Sequence, residues 1–286
     1  MLHPYKGTRR NEHLGPDGRG GHSISSYGED GPVPKTYSFN SLGFRGEEFD
    51  ADAPLKLFVC GCSITFGTAL DIEESWPFLF RQKLAEQHGL AESSVNLMNF
   101  SEGGASNDYI TRTLIEQSTQ VRPDLIVAGF THMHRFELLD ESTAFRFNPL
   151  MLEKYASAGG KFAEMAKLAE FVFLGTDDVQ KKMRMIKNVL LLQYFCQSRE
   201  IPFIFLFLES LLREDLPSAL AAPTTQPLFE EIDFDALVPL SPATKVDRAS
   251  DEVHPGPRSQ ELIAEAAWKT VHARYGTLAP RALMRE

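Results

Sequence analysis

LKLFVCG-CSITFG, residues 55–67, decides how the chain is read. Its first half is a near-continuous apolar run of strand length, the pattern of a strand buried on both faces. Its second half turns through Gly61 and Ser63 toward a helix start. A strand that feeds a helix is the repeating unit of a parallel sheet, so the rest of the chain should show the same alternation.

It does. WPFLFRQKLAEQHG (76–89) has helical spacing, with Pro77 in the first turn and Gly89 past the end. VNLMNF (95–100) is a second strand, and NDYITRTLIEQST (107–119) a helix capped by Ser106 or Asn107. DLIVAGF (124–130) is a third strand and PFIFLFLE (202–209) a fourth. Between them lies a less regular stretch, 132–176, containing the helical KFAEMAKLAEF, and then the long helix TDDVQKKMRMIKNVLLLQYFCQSR (176–199). Residues 213–250 are rich in Pro and Asp without a clear period, and RSQELIAEAAWKTVHARYG (258–276) closes as an amphipathic helix. The expectation is an α/β fold with a parallel sheet between two helical layers. In such folds the functional crevice lies at the carboxyl ends of the strands, here just after residues 61, 100, 130 and 209.

Upstream, residues 1–35 are rich in Gly, Pro, Ser and charge. TYSFNSLGFRGEEFD (36–50) adds aromatic rings that are costly to leave in water. We read 1–50 as an amino-terminal arm whose aromatic part packs on a domain spanning 51–286.

The 286 residues are 43% hydrophobic and 24% charged, a balance that argues for a globular chain rather than a disordered one. The longest apolar run, FIFLFL (203–208), is far shorter than the ~20 residues of a membrane span. The first residues contain no apolar signal core. Cys60, Cys62 and Cys196 form neither a disulfide framework nor a zinc pattern, so a reducing cytoplasm is expected. The net charge of −10 comes with no basic stripe, which disfavours nucleic acid as a partner. Oligomeric state is not legible.

Ser63 follows the first strand at a turn leading to a helix start, where backbone N–H groups favour a developing anion. It is either a nucleophile or the cap of the next helix. The G-x-S-x-G elbow is not met because Thr65 replaces the last Gly. Gly61 to Gly67 also lacks the spacing and the lysine of a phosphate-binding loop. After the second strand, Asn99 to Asn107 (NFSEGGASN) holds two glycines that let backbone donors approach a bound group, or simply make a βα turn. Near the other end, Asp251-Glu252-Val253-His254 sets a carboxylate three residues before an imidazole. That is the pairing a general base needs, or else a polar loop before the last helix. His132-x-His134 could present two imidazoles on one face, but no third metal ligand is evident nearby, so contact with substrate is the reading for His132. Cys62 is read as a core cysteine.

Together these features, in this order, resemble the SGNH (GDSL-like) hydrolase superfamily. Gly61-Cys62-Ser63 is similar to its first block, with Cys62 where Asp is usual. Asn99 to Gly104 is similar to the second and Asp251 with His254 to the last; NSLGFRG (40–46) also looks like stretches that precede the first block in some members. The resemblance spans roughly 55–276 and implies a flavodoxin-like three-layer α/β/α fold. It further implies a serine esterase with the triad Ser63, His254 and Asp251, an oxyanion hole from the backbone of Ser63 and Gly104, no cofactor and no metal. The third block departs: Gly129-Phe130-Thr131-His132 lacks the family's asparagine. Thr131, His132 and Asn107 are the candidate replacement donors, Asn107 the favoured one. The substrate expected is a small-molecule or glycan ester. An acyltransferase on the same triad, or a non-catalytic glycan-binding or assembly module keeping the fold, are the alternatives.

Overall fold

The computed structural model describes residues 22–25, 35–139, 144–147, 152, 156–157, 160–175, 177–211, 220–276 and 278. Most of the expected arm, residues 1–21 and 26–34, therefore lies outside the described residues.

Nine strands occur among the described residues: β1 (His22–Ser25), β2 (Lys35–Ser38), β3 (Leu55–Gly61), β4 (Val95–Asn99), β5 (Leu125–Phe130), β6 (Phe136–Leu139), β7 (Ala144–Phe147), β8 (Phe203–Phe207) and β9 (Leu237–Val238). The helices are α1 (Ser63–Phe66), α2 (Trp76–His88), α3 (Asn107–Gln120), α4 (Gly160–Gly175), α5 (Asp178–Ser198), α6 (Gln226–Phe229) and α7 (Pro257–Tyr275). The central sheet is wholly parallel, in the order β4-β3-β5-β8-β9.

That order explains the layers. The chain steps from β3 outward to β4, then back across β3 to β5 and on to β8. Because such crossovers are right-handed, a reversal of direction moves the connecting helices to the other face. Accordingly α2 packs with α7, and α3 with α5. The strands are buried almost throughout, as their continuous apolar sequences require. The reversal falls between β3 and β5, so the crevice opens beyond Gly61 and Phe130.

Several elements were not foreseen, among them the β1–β2 pair and α6. Two-residue β9 adds a fifth strand to the sheet inside the aperiodic 213–250 stretch. β6 and β7 form a hairpin beyond β5, and α4 covers it through Ala166 and Ala169 against Phe136 and Phe147. The helix start expected at Ser63 is α1, a single turn directly after β3.

The aromatic segment before β3 is part of the packing. Tyr37, Phe39 and Phe44 are buried; Tyr37 and Phe39 pack on Phe66 of α1, and Phe44 on Phe100. Asn40 Oδ1 accepts the N–H groups of Leu42 and Phe44, which closes the NSLGFRG turn and aims Arg45 inward.

Candidate active site

The turn after β3 is built on a pair of glycines. Gly61 and Gly129 are register partners on neighbouring strands, and the Thr65 side chain of α1 sits over both. A Cβ on Gly61 would lie 2.1 Å from Thr65 Oγ1, and one on Gly129 2.7 Å from it. Only glycine lets the helical turn settle this low on the sheet end. Ser63 begins that turn and is partly exposed, while Thr65 and Phe66 are buried. The turn ends at Gly67, whose φ of 79° is left-handed.

Arg45 braces the turn from outside. Its Nη1 donates to the carbonyls of Phe66 (2.8 Å) and Gly67 (2.7 Å), and its Nη2 to that of Leu70 (2.8 Å). The guanidinium also lies over the ring of Tyr37, 4.4 Å from its centroid, and Tyr37 Oη accepts the Ala69 N–H. Burial lowers the Arg45 pKa to about 10, which still leaves it charged at neutral pH.

The second turn is pinned to the first. Asn99 Nδ2 donates to the Thr65 carbonyl at 3.1 Å, and Asn99 Oδ1 accepts the Ser101 N–H. The Glu102 N–H donates to the Gly61 carbonyl. Gly104 then turns at a φ of 77° and is partly exposed beside Ser63's turn.

The Asp251–His254 loop is held at its base, and at its tip Lys245 Nζ and Arg248 Nη1 donate to the carbonyls of Val253 and Glu252. Asp247 accepts the N–H groups of Arg258 (3.0 Å) and Ser259 (2.8 Å), capping α7 from outside the helix, and the Ala249 N–H donates to the His254 carbonyl. Gly256 closes the loop where a Cβ would meet the Arg248 carbonyl at 2.5 Å. Within it, His254 Nδ1 is 2.5 Å from Asp251 Oδ2, and Asp251 Oδ1 accepts the N–H groups of Val253 and His254. Burial works to raise the Asp251 pKa, but the backbone and side chain of His254 and the Val253 N–H outweigh it and hold the carboxyl below its ordinary value. The imidazole contact makes Nδ1 the donor and leaves Nε2 as the acceptor nitrogen.

The loop is docked on the Ser63 segment. Buried Gln260, in the first turn of α7, directs one side-chain nitrogen at the carbonyls of both Ile64 (3.5 Å) and Pro255 (3.4 Å). Its Oε1 accepts the Trp76 N–H, and Ser250 Oγ donates to the Ala69 carbonyl. Ser63 Oγ itself makes no hydrogen bond to His254 or to any other described residue. Hydroxyl-to-base contacts are commonly long before substrate arrives.

Asn107 does not stand as a free donor. Its Nδ2 donates to the Thr131 carbonyl at 3.1 Å and its Oδ1 accepts the Thr131 N–H at 2.7 Å, with the side chain buried. The carboxamide is thus engaged at both ends as a clamp from α3 onto the end of β5. Thr131 is itself almost fully buried, at 1% exposure. His132 is partly exposed, with Nδ1 3.6 Å from Glu209 Oε2 and its ring stacked on His134. Among the described residues no group of three or more His, Cys, Asp or Glu side chains is placed to hold a metal ion.

No protein-family model matches the sequence, and no curated protein matches it. Solved structures do. The chain is similar to GDSL-type esterases and lipases. The crystal structure of TesA is 15% identical, with a TM-score of 0.47 over 76% of this chain and 98% of that one. An acetyl xylan esterase, AlAXEase, is 14% identical, with a TM-score of 0.44 over 76% and 100%. The psychrotrophic esterase EstA from Pseudoalteromonas sp. is 14% identical, with a TM-score of 0.41 over 76% and 97%.

Sequence reasoning missed Gln260, Asp247 and the bracing role of Arg45. A glutamine in the first turn of an amphipathic helix carries no motif. Asp247 lies too far before the start of α7 to read as its cap. Arg45 was visible only as part of the NSLGFRG segment.

Proposed function

We propose that the protein is a serine-dependent ester hydrolase. The observation that carries this reading is the Asp251–His254 pair, on a loop that Gln260 ties to the backbone of the residue following Ser63. Ser63 Oγ attacks the ester carbonyl carbon while His254 Nε2 takes its proton. The negative charge passes to the carbonyl oxygen, held by the backbone N–H groups of Ser63 and Gly104. As the tetrahedral intermediate collapses, the C–O bond to the alcohol breaks and His254 returns the proton to the leaving oxygen. Water, deprotonated by His254, then attacks the acyl-serine; the bond from the acyl carbon to Oγ breaks, His254 returns the proton to Oγ and the acid is released. Asp251 keeps Nδ1 protonated and stabilises the imidazolium in both halves.

A fluorophosphonate probe tests this directly. Covalent labelling mapped to Ser63 by mass spectrometry, abolished in Ser63→Ala and strongly slowed in His254→Ala, is the expected result. Absence of labelling at every pH from about 6 to 9 would sink the hydrolase reading.

A further inference from the structure

Beyond Thr131 the chain makes a tight turn in which the Arg135 N–H donates to the His132 carbonyl at 3.1 Å. This turn stands at the end of β5, the strand beside the one that leads to Ser63. It therefore faces the same crevice mouth one strand over. The His132 and His134 rings stack at 5.2 Å between centroids. Arg135 follows them and is partly buried. Its Nε and Nη1 are both closed to solvent and meet no hydrogen-bond acceptor, and no described carboxylate is within ion-pair reach.

That is an expensive arrangement for a guanidinium. A buried donor without an acceptor carries the full cost of its lost hydration, and more when charged. Other buried arginines each leave only Nε without a partner and engage their outer nitrogens: Arg45 with three carbonyls, Arg81 with Glu47 and Glu92. The charged groups that act on the neighbouring His134 are His132, Arg135, Lys181 and Glu209, and Glu209 faces His132. His134 has its pKa lowered to about 4, first by burial and then by His132 and Arg135, so it is a neutral ring at physiological pH. Lys181 also faces the cluster and pairs with Asp178.

We infer that Arg135, flanked by His132 and His134, is a subsite for an oxyanion group, carboxylate or phosphate, carried by the ester substrate. The fork of a guanidinium presents parallel N–H donors that match two oxygens of either group. This deepens the ester-hydrolase reading and rests on it for the word substrate. The binding itself does not depend on catalysis. The selected esters are anionic, bound by the group that does not react.

The experiment separates the two. Calorimetric binding of inorganic phosphate and of succinate is measured on Ser63→Ala and on the same chain with Arg135→Gln or Arg135→Lys. In parallel, turnover by the intact chain and by Arg135→Gln is compared for matched ester pairs: p-nitrophenyl succinate against p-nitrophenyl acetate for the carboxylate arm, and an O-acetylated sugar with and without a phosphate for the other. At least one anion should bind, weaken about 10- to 100-fold with Arg135→Gln and less with Arg135→Lys, as expected for loss of a charge-assisted fork. The matching anionic ester should lose its advantage in KM with kcat little changed. Arg135→Gln should melt at the same temperature as the parent or higher. Anion affinities unmoved by Arg135→Gln would overturn the subsite, as would a collapse in melting temperature in both Arg135 variants. Anion binding that needs Arg135, with no turnover of any ester, would keep the subsite and sink the hydrolase. Turnover indifferent to ester charge and to Arg135 would do the reverse.

Discussion

Arg45 Nη1 donates to the main-chain carbonyl of Phe66 at 2.8 Å, across 21 residues of sequence. Through this bond and its companions at Gly67 and Leu70, the aromatic segment before the sheet holds the carboxyl end of the turn that Ser63 begins. The carbonyls of a helix end have no partners of their own, and a buried cation is well suited to supply them.

Arg45→Ala should therefore lower stability by about 2–4 kcal/mol in urea unfolding, since bonds to a charged donor are worth about 1.5–3 kcal/mol each and do not add fully. Arg45→Lys should recover only a fraction, because one ammonium cannot span three carbonyls and stack on Tyr37. Full stability in the lysine variant would show that charge alone suffices.

For the proposed triad, Ser63→Ala and His254→Ala should each lower kcat by at least ~10³, and the double variant should be little worse than either. Asp251→Asn keeps the shape but presents an amide to Nδ1, favouring the wrong tautomer; its kcat should fall by up to ~10⁴. Steady-state kinetics on one activated ester checks all four. If His254→Ala kept more than about a tenth of the activity, the base would have to be sought elsewhere.

Asn107→Ala should act on the fold more than on the chemistry. It strands the N–H and carbonyl of Thr131, so a loss of about 2–3 kcal/mol is expected. Asn107→Asp keeps the acceptor but not the donor and should fall between. A stable Asn107→Ala protein with kcat lowered ~10²–10³ would restore the oxyanion role that its hydrogen bonds argue against.

His134 sets a pH dependence of stability. Its folded pKa, about 4, lies below the unfolded value of 6.5, so the unfolded chain binds the extra proton first. The stabilisation is complete above about pH 6.5 and is lost progressively as pH falls toward 4. His134→Gln should flatten the melting-temperature profile in that window. The carboxyls of Asp247 and Asp251, both held below their ordinary values, act lower, where acid protonates them. An unchanged slope in His134→Gln would mean the ring is not held neutral by its surroundings.

The parts legible in the sequence are those whose physics is local. LKLFVCG, VNLMNF, DLIVAGF and PFIFLFL announce buried strands because both of their faces are covered, and Asp251 finds His254 because three residues of loop suffice to bring them together. β9 has two residues and no period to detect. The hairpin of β6 and β7 hid in a stretch whose pattern is broken by charges such as Glu137, which pairs with Arg112 of α3. Gln260 and Arg45 act on partners up to 196 residues away, and their meaning exists only once the sheet is assembled. Asn107 was legible as a helix start, while only the fold reveals that the end of β5 lies against its carboxamide.

The docking of Gln260 between Ile64 and Pro255 also fixes when the two ends of the crevice can meet. Ser63 is made on a turn whose braces precede it or follow closely. Asp251, His254 and the helix that fastens their loop are made only after every strand of the central sheet. Synthesis runs from the amino end, and earlier segments fold while later ones are still being added. On the proposed triad, a nascent chain carries Ser63 without a base until α7 emerges and seats Gln260, and until then it stays chemically silent.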